Sequence, residues 1–342
     1  MILETIEVGG CRSYILGCPN THVGAVIDPE ISAIERYRGL AARHGLTLRY
    51  AIDTHTHADH FSAAREIGKA LGAQVVMSHL SPAPHVDIKL DDGDLLLIGE
   101  IRLQAMATPG HTADSTSLYT QGHVFTGDAL LIGGTGRTDL PTGDPEQLYD
   151  SLFNRLLKLD PATEIHPAHE YKGRAGSTIG EEITSNPRLQ KTDRADFVAM
   201  MRALNIQAPT HLTEALRVNM SGAKSVARLL SEASASVPFM AMDELSRRIA
   251  ARQNDLVILD VREKDAFDAG HLPGAVHLPR GQLELRVNEA FPDPTVRIVA
   301  VCDFGKISTL AAATLRSLGF RHASALDGGM KAWREAGLTT EK

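Results

Sequence analysis

The sequence predicts an α/β protein of two unequal domains, and three observations predict it. Short apolar strands alternate with amphipathic helical patterns along the chain. Histidine is concentrated in the first part: 11 of the 15 lie before residue 170. After a small, polar stretch at Ser231 to Pro238, the rhythm tightens into clean helix–strand units. The 342 residues fit two domains at the usual size of roughly 100–200 residues each. The expected division is residues 1–235 and 236–342.

Taken in order, Arg12 to Gly17 and Val23 to Asp28 read as strands, the second closed by Pro29. Ser32 is placed to cap a helix through Arg43, with Ile34, Tyr37, Leu40 and Ala41 on one face and Gly45 just beyond its end. Leu48 to Asp53 is a strand that runs directly into His55-Thr56-His57-Ala58-Asp59-His60, and a helix is expected from Phe61 to Leu71. Strands follow at Gln74 to Ser78, Leu95 to Ile98, Ile101 to Ala107, Ser115 to Tyr119 and Val124 to Thr126. Helices are expected around Pro145 to Leu157, Arg194 to Leu204 and Gly222 to Ala233. This pattern suits sheets covered by helices. In the second domain, helices at Asp243 to Arg252, Lys306 to Leu318 and Met330 to Glu335 alternate with strands at Leu256 to Val261, Arg297 to Val301 and Ala323 to Leu326. That alternation predicts a small parallel sheet.

Composition narrows the function. A chain that is 43% hydrophobic and 23% charged is neither disordered, collagen-like nor a coiled coil. No apolar run approaches the roughly 20 residues of a membrane span, so no membrane partner is expected. A net charge of −7 argues against a nucleic-acid surface. Three cysteines, Cys11, Cys18 and Cys302, are too few for a disulfide framework. With no evident export signal, they point to a cytoplasmic protein.

The histidine excess resolves into four stations. His55, His57, Asp59 and His60 form H-x-H-x-D-H at a strand's end. Imidazole and carboxylate are the ligands that zinc, iron and manganese take. Side chains two apart on an extended segment share a face, so His55 and His57 can aim at one point. Thr108-Pro109-Gly110-His111-Thr112 presents one histidine in a tight turn, Thr126-Gly127-Asp128 presents one aspartate, and His166-Pro167-Ala168-His169 adds the last station.

The order of these stations resembles the metallo-β-lactamase superfamily, over residues 1 to about 215. The resemblance implies an αββα sandwich with the metal site at one edge. Two branches fit. One is a dinuclear thioester hydrolase like glyoxalase II, for which all seven ligand types are present: His55, His57, Asp59, His60, His111, Asp128 and His169. The other is the persulfide dioxygenases. They are resembled by Gly136-Arg137-Thr138-Asp139, by Pro167 to Gly173, and by Ser177 to Glu182 followed by Asn186-Pro187-Arg188. That second resemblance implies one Fe(II) per chain held by His55, His111 and Asp128, a facial triad with open positions. His57, Asp59, His60 and His169 would then orient these ligands. It further implies oxidation of glutathione persulfide, or of another low-molecular-weight thiol persulfide, by O2 to sulfite and thiol. The cations and phenol expected to hold such a thiol are Arg137, Tyr171 and Lys172; Arg137 can alternatively brace the Asp139 loop. Oligomeric members of the family make a homodimer the expected assembly.

Cys302 lies between a buried strand and the start of a helix, where loop amides and the helix N-terminus stabilise a thiolate. Its surroundings resemble the rhodanese family over residues 239–337: Asp260-Val261-Arg262, Gly270-His271-Leu272-Pro273-Gly274-Ala275, and Asp327-Gly328-Gly329 running to Trp333. The resemblance implies a rhodanese-like α/β domain in which Cys302 carries sulfane sulfur between thiosulfate, sulfite and thiols. The loop Cys302-Asp303-Phe304-Gly305-Lys306-Ile307 has the six-residue length linked with that chemistry. Ile307 departs from the Arg or Thr usual there, and Asp303 adds a negative charge that Lys306 and Arg262 are placed to offset. The loop is therefore expected to handle thiosulfate poorly or to prefer a bulkier persulfide. A non-catalytic docking module is the other reading of this domain. Cys11 and Cys18 match no motif and read as structural.

Overall fold

The structure, a computed structural model, describes residues 1–207, 212–252 and 255–342. It divides into two compact units, Met1–Ala223 and Lys224–Lys342. The division falls earlier than the boundary expected at residue 235. Ser231 to Pro238 is not a linker but the end of helix Val226–Ser236, capped by Ser225, whose side chain accepts from the Arg228 amide. Within this stretch Ala233 and Val237 are buried, Val237 in the core of the second unit, while the serines face solvent. The helix expected from Gly222 to Ala233 runs instead from Val226 to Ser236, and a further helix that was not expected, Leu212–Ser221, precedes it. Gly222, at φ +65°, adopts a left-handed conformation between them.

In the first unit, six strands form one sheet in sequence order: Ile2–Val8, Cys11–Gly17, Val23–Ile27, Thr47–Ile52, Gln74–Ser78 and Ile88–Leu90. The first three pair antiparallel and the rest parallel. A second sheet orders Glu164–Pro167, His123–Gly127, Thr116–Thr120, Ile101–Ala107 and Leu95–Ile98. Alternation along the strands builds the layers. Tyr14, Leu16, Ala25, Ile27, Ile52 and Val76 face the second sheet, where they meet Ile98, Leu103, Ala105, Leu118 and Phe125. Their neighbours Ile15, Val26, Ala51 and Val75 turn outward against Tyr37, Ala41, Ala64 and Ile67 of helices Ile34–Arg43 and Ala64–Leu71. Helices Pro145–Phe153 and Arg194–Arg202 cover the outer face of the second sheet through Leu148, Leu152, Phe197 and Met201. The result is the expected αββα sandwich. Strands buried on both faces read as apolar runs, which is why they are legible locally. The first helix starts later than expected, because the Glu30 carboxylate, not Ser32, accepts the free amide, in a short 3-10 turn at Ile31–Ala33.

The second unit holds an all-parallel sheet in the order Phe239–Met240, Ala323–Leu326, Arg297–Val301, Leu256–Asp260, Val276–His277. Leu283, Val287, Ala311 and Leu315 bury one face of it, and Leu245, Leu272, Met330 and Trp333 the other. Such a sheet gathers the loops that follow its central strands at one end. Here these loops carry Arg262, Cys302 and Asp327. Among the described residues, no helix is long and apolar enough to cross a membrane.

Candidate metal centre and cysteine loop

Strand ends deliver every station of the centre. Thr47–Ile52 runs into the His55 to His60 loop, Ile101–Ala107 into His111, His123–Gly127 into Asp128, and Glu164–Pro167 into His169. Backbone hydrogen bonds tie these ends together. The Thr116 amide donates to Thr54 O (2.9 Å), and the Ala168 amide donates to Gly127 O (2.9 Å). Asn219, on helix Leu212–Ser221, holds the histidine loop by donating to the His57 and His60 carbonyls, each at 2.9 Å.

His55, His111 and Asp128 converge, with one donor atom from each within 4.8 Å of the others. The proton positions follow from the partners. The Thr54 hydroxyl donates to Asp28 (2.9 Å), so it accepts from His55 Nδ1–H (2.9 Å). That leaves His55 Nε2 buried with no partner, in the state a metal requires. Burial, then the neighbouring His57, push the His55 pKa down to about 3. His111 donates Nδ1–H to Arg137 O (2.8 Å), turning its Nε2 to 3.5 Å from Asp128 Oδ2. Burial would raise the Asp128 pKa, but His169 and His111 hold it below the usual carboxylate range. An ionised oxygen beside two oriented imidazoles, one with a bare buried nitrogen, is a fitting cradle for a divalent cation.

Gly136 backs this cradle. A Cβ there would lie 1.9 Å from Asp128 O and 3.0 Å from His111 Nδ1, so Gly136→Ala must displace both ligands. We expect that variant to lose metal affinity by about 10–100-fold, the range typical for disturbed orienting contacts, as read by chelator competition.

The remaining stations are organised differently. His57 Nε2 is anchored on Asp28 (3.2 Å), while its Nδ1 is buried without a partner, as is His60 Nε2. His169 bridges two carboxylates: Nδ1 donates to Asp128 Oδ1 (2.7 Å) and Nε2 to Asp59 Oδ2 (2.6 Å). Burial opposes its charge, yet these two acids raise its pKa well above the ordinary value. His60 is likewise raised, to about 10, by Asp59 against the effect of burial.

Beside them sits Cys11, which sequence reasoning left as structural. Its Sγ lies 3.5 Å from His169 Nε2, 3.7 Å from His60 Nδ1 and 3.8 Å from Asp59 Oδ2. An isolated backbone bridge, Cys11 to His169, places it there. Nothing local signals this, because the partners are 158 positions apart. Cys18 is buried in the inter-sheet core, as expected of a structural residue.

A cavity of about 750 Å³ opens over the centre, lined by Cys11, Asp59, His111, Asp128 and His169 and rimmed by Arg137, Tyr171, Lys172 and Arg188. The guanidinium of Arg137 is already engaged. It grips Asp139 bidentately (2.6 and 2.6 Å) and donates to the carbonyls of Ile206 (3.0 Å) and Gln207 (2.8 Å). Of the two roles open to it, bracing the loop is the one its contacts match. Tyr171 is exposed and stacks on His169, with ring centroids 5.5 Å apart. Arg188 donates to Thr135 O (2.6 Å) and Thr135 Oγ1 (3.0 Å). The cavity wall also explains why two distant segments act as one. The buried Glu182 carboxylate accepts from the Gly133 amide, Ser177 Oγ and Asn186 Nδ2, each at 2.7 Å.

In the second unit, Cys302 follows strand Arg297–Val301 and precedes helix Lys306–Ser317, with Gly305 left-handed at φ +81°. The Ser308 amide donates to Cys302 Sγ at 3.2 Å. The loop is held from below: the Met330 and Lys331 amides donate to the Cys302 and Asp303 carbonyls, each at 2.9 Å. Gly329 is required there, since a Cβ would lie 2.4 Å from Cys302 O. The charge of Asp303 is met by Arg262 (3.2 Å), itself paired with Asp260 at 2.7 Å. Phe304, Lys306 and Ile307 are exposed at the loop's rim.

Comparison with known proteins agrees with this architecture. Residues 6–169 match the family model of the metallo-beta-lactamase superfamily, and residues 241–336 that of the rhodanese-like domain. The fold and site thus define a metallo-β-lactamase-superfamily enzyme joined to a rhodanese-like domain. Within that class, the mitochondrial persulfide dioxygenase ETHE1 of Bos taurus is 39% identical over 224 residues, spanning 64% of this chain and 87% of the relative. Its Homo sapiens counterpart is 38% identical over the same shares. The crystal structure of ETHE1 from Myxococcus xanthus superposes with a TM-score of 0.63 at 37% identity, covering 64% of this chain and 98% of that one. The chain belongs to the persulfide dioxygenase family, with a C-terminal rhodanese-like domain. A metallo-beta-lactamase from Staphylococcus aureus, 23% identical with a TM-score of 0.62, covers 96% of this chain and shares the fold.

Proposed function

We propose that the first unit oxidises a low-molecular-weight thiol persulfide, glutathione persulfide foremost, at a single Fe(II) held by His55, His111 and Asp128. The overall reaction is R-S-SH + O2 + H2O → R-SH + sulfite + 2 H⁺, in which the outer sulfur gives four electrons to O2. Bound iron would supply open positions where a soft sulfur anion and O2 are brought side by side. The chain's own residues do the rest. Thr54 and the Arg137 carbonyl orient the two imidazoles, and His169 orients Asp128. Lys172 and Arg188 offer positive charge for the thiol's carboxylates, and Tyr171 offers a stacking surface.

One observation carries the single-metal reading. Both nitrogens of His169 are committed to Asp128 and Asp59, and the Cys11 sulfur crowds that same pocket. The unpartnered His57 Nδ1 and His60 Nε2 favour the second reading, a dinuclear thioester hydrolase. The test is metal analysis beside oxygen uptake with glutathione persulfide. The expected result is one iron per chain and robust uptake. No uptake with brisk hydrolysis of S-lactoylglutathione, or two metals per chain at full activity, would overturn the proposal.

The second unit completes the proposal as a sulfur carrier. The Cys302 thiolate attacks the outer sulfur of thiosulfate, releasing sulfite and leaving a Cys302 persulfide. A thiol then takes that sulfur as its own persulfide and regenerates the thiolate. Phe304 and Ile307, exposed at 68% and 51%, give the rim two apolar side chains beside the cationic Lys306, which suits a bulkier persulfide donor as well as an anionic one. Three free, buried cysteines suit a reducing compartment such as the cytoplasm. The assembly proposed for the chain is a homodimer, as the family resemblance implies.

A further inference from the structure

We infer that His123, Glu164 and His166 form a second cation site, separate from the centre above, for a first-row divalent metal of the zinc type. The argument begins with strand register. His123 pairs with Glu164 across two parallel strands, and Phe125 pairs with His166. Glu164 and His166 are two apart on an extended edge strand, so their side chains leave the same face. His123, opposite Glu164, joins them there. Three potential ligands therefore meet on one face of a two-strand ribbon.

Their donor atoms are spaced as a cation needs. His123 Nδ1 and His166 Nε2 are 3.0 Å apart, Glu164 Oε2 is 3.5 Å from His123 Nδ1, and it is 4.0 Å from His166 Nε2. A tetrahedral zinc with bonds of about 2.0–2.1 Å sets its ligands about 3.3–3.4 Å apart. The three separations bracket that value. At most one proton lies between the two facing nitrogens; a cation would take its place and gather the carboxylate as well. Two imidazoles and a carboxylate are ligands that suit zinc.

The cluster is also braced. The His166 ring is held edge-on by Tyr14 (centroids 5.4 Å) and packed on Phe125 (5.0 Å). Burial, then His123, push its pKa down to about 4, which leaves the neutral ring a ligand must be. The Glu164 side chain is 59% exposed, giving a path from solvent. Three protein ligands leave a fourth position for water. The strand that His123 opens leads into Asp128, and the Glu164–Pro167 strand leads to His169, so a cation here would clamp the two strands that feed the main centre.

The experiment adds zinc chloride to the iron-loaded full chain. Iron and zinc per chain are measured after desalting, and thermal unfolding is followed in parallel. The unaltered chain is expected to take up one zinc, keep its iron and melt at a higher temperature. His123→Ala should abolish both the added zinc and the rise in melting temperature. Glu164→Ala, a change at an exposed side chain, should weaken zinc binding by about tenfold or more. Both variants should keep their iron and their oxygen uptake. No added zinc in the unaltered chain, zinc entering only as iron leaves, or undiminished zinc in both variants would overturn the inference and leave a plain hydrogen-bonded histidine pair. Cobalt gives an independent reading through its four-coordinate visible absorption, absent from His123→Ala.

Discussion

Asp128→Asn is expected to yield a folded chain that retains almost no iron and consumes almost no oxygen with glutathione persulfide. The substitution keeps the shape and removes the charge. That charge faces His111 Nε2 at 3.5 Å and receives His169 Nδ1–H at 2.7 Å. A neutral amide cannot offset a divalent cation there, and it leaves the His169 imidazolium with Asp59 as its remaining acid partner. The loss should exceed the roughly 10–100-fold typical when a ligand's orienting partner is removed. His169→Ala provides the comparison, because under the single-metal proposal His169 positions Asp128 through its Nδ1–H without touching the metal. It should fall within that 10–100-fold range in iron affinity and show a smaller loss of uptake. Elemental analysis, oxygen uptake and a melting curve on both variants decide the matter. Full iron in Asp128→Asn, or equal losses in the two variants, would refute the assignment of Asp128 as ligand and His169 as orienter.

Cys302→Ser is expected to cut sulfur transfer from thiosulfate to thiol by about three orders of magnitude or more and to leave oxygen uptake unchanged. The hydroxyl still accepts from the Ser308 amide, so the loop keeps its geometry. What is lost is a polarisable anion at neutral pH. Surviving transfer would show that Cys302 is not the nucleophile and would favour the docking-module reading.

The four candidate stations were legible because each is a short motif at the C-terminal end of an apolar strand, and these strands run the same way within their sheets. The order of the stations left seven candidate ligands together, and only the resemblance to the persulfide dioxygenases set His55, His111 and Asp128 apart from the rest. Cys11 was not legible: its place depends on a backbone bridge to His169 that no local pattern encodes. Asn219 was hidden similarly, since a polar residue on a helix gives no hint that it clasps a loop some 160 residues earlier in the chain. Arg188 and Glu182 lay within segments that carried the family resemblance, yet their work is three-dimensional, bracing the cavity wall around residues 133–135. Ser231 to Pro238 misled for a physical reason. Small polar residues mark linkers, but they also line the solvent side of a helix, and here only Ala233 and Val237 tie the segment to its unit.

The backbone crossing beneath the metal centre has a dynamic consequence. The Arg12 amide donates to Ala168 O at 2.7 Å, and the Glu170 amide donates to Gly10 O at 3.0 Å, joining the first sheet to the second at their shared edge. Those amides exchange with solvent only when the sheets part. The strand amide of Arg12 should therefore exchange as slowly as those of the core, and that of Glu170, although it lies in a loop, should approach that rate. The floor beneath the metal then moves as one body with both sheets, and breathing is left to the exposed rim at Tyr171 and Lys172.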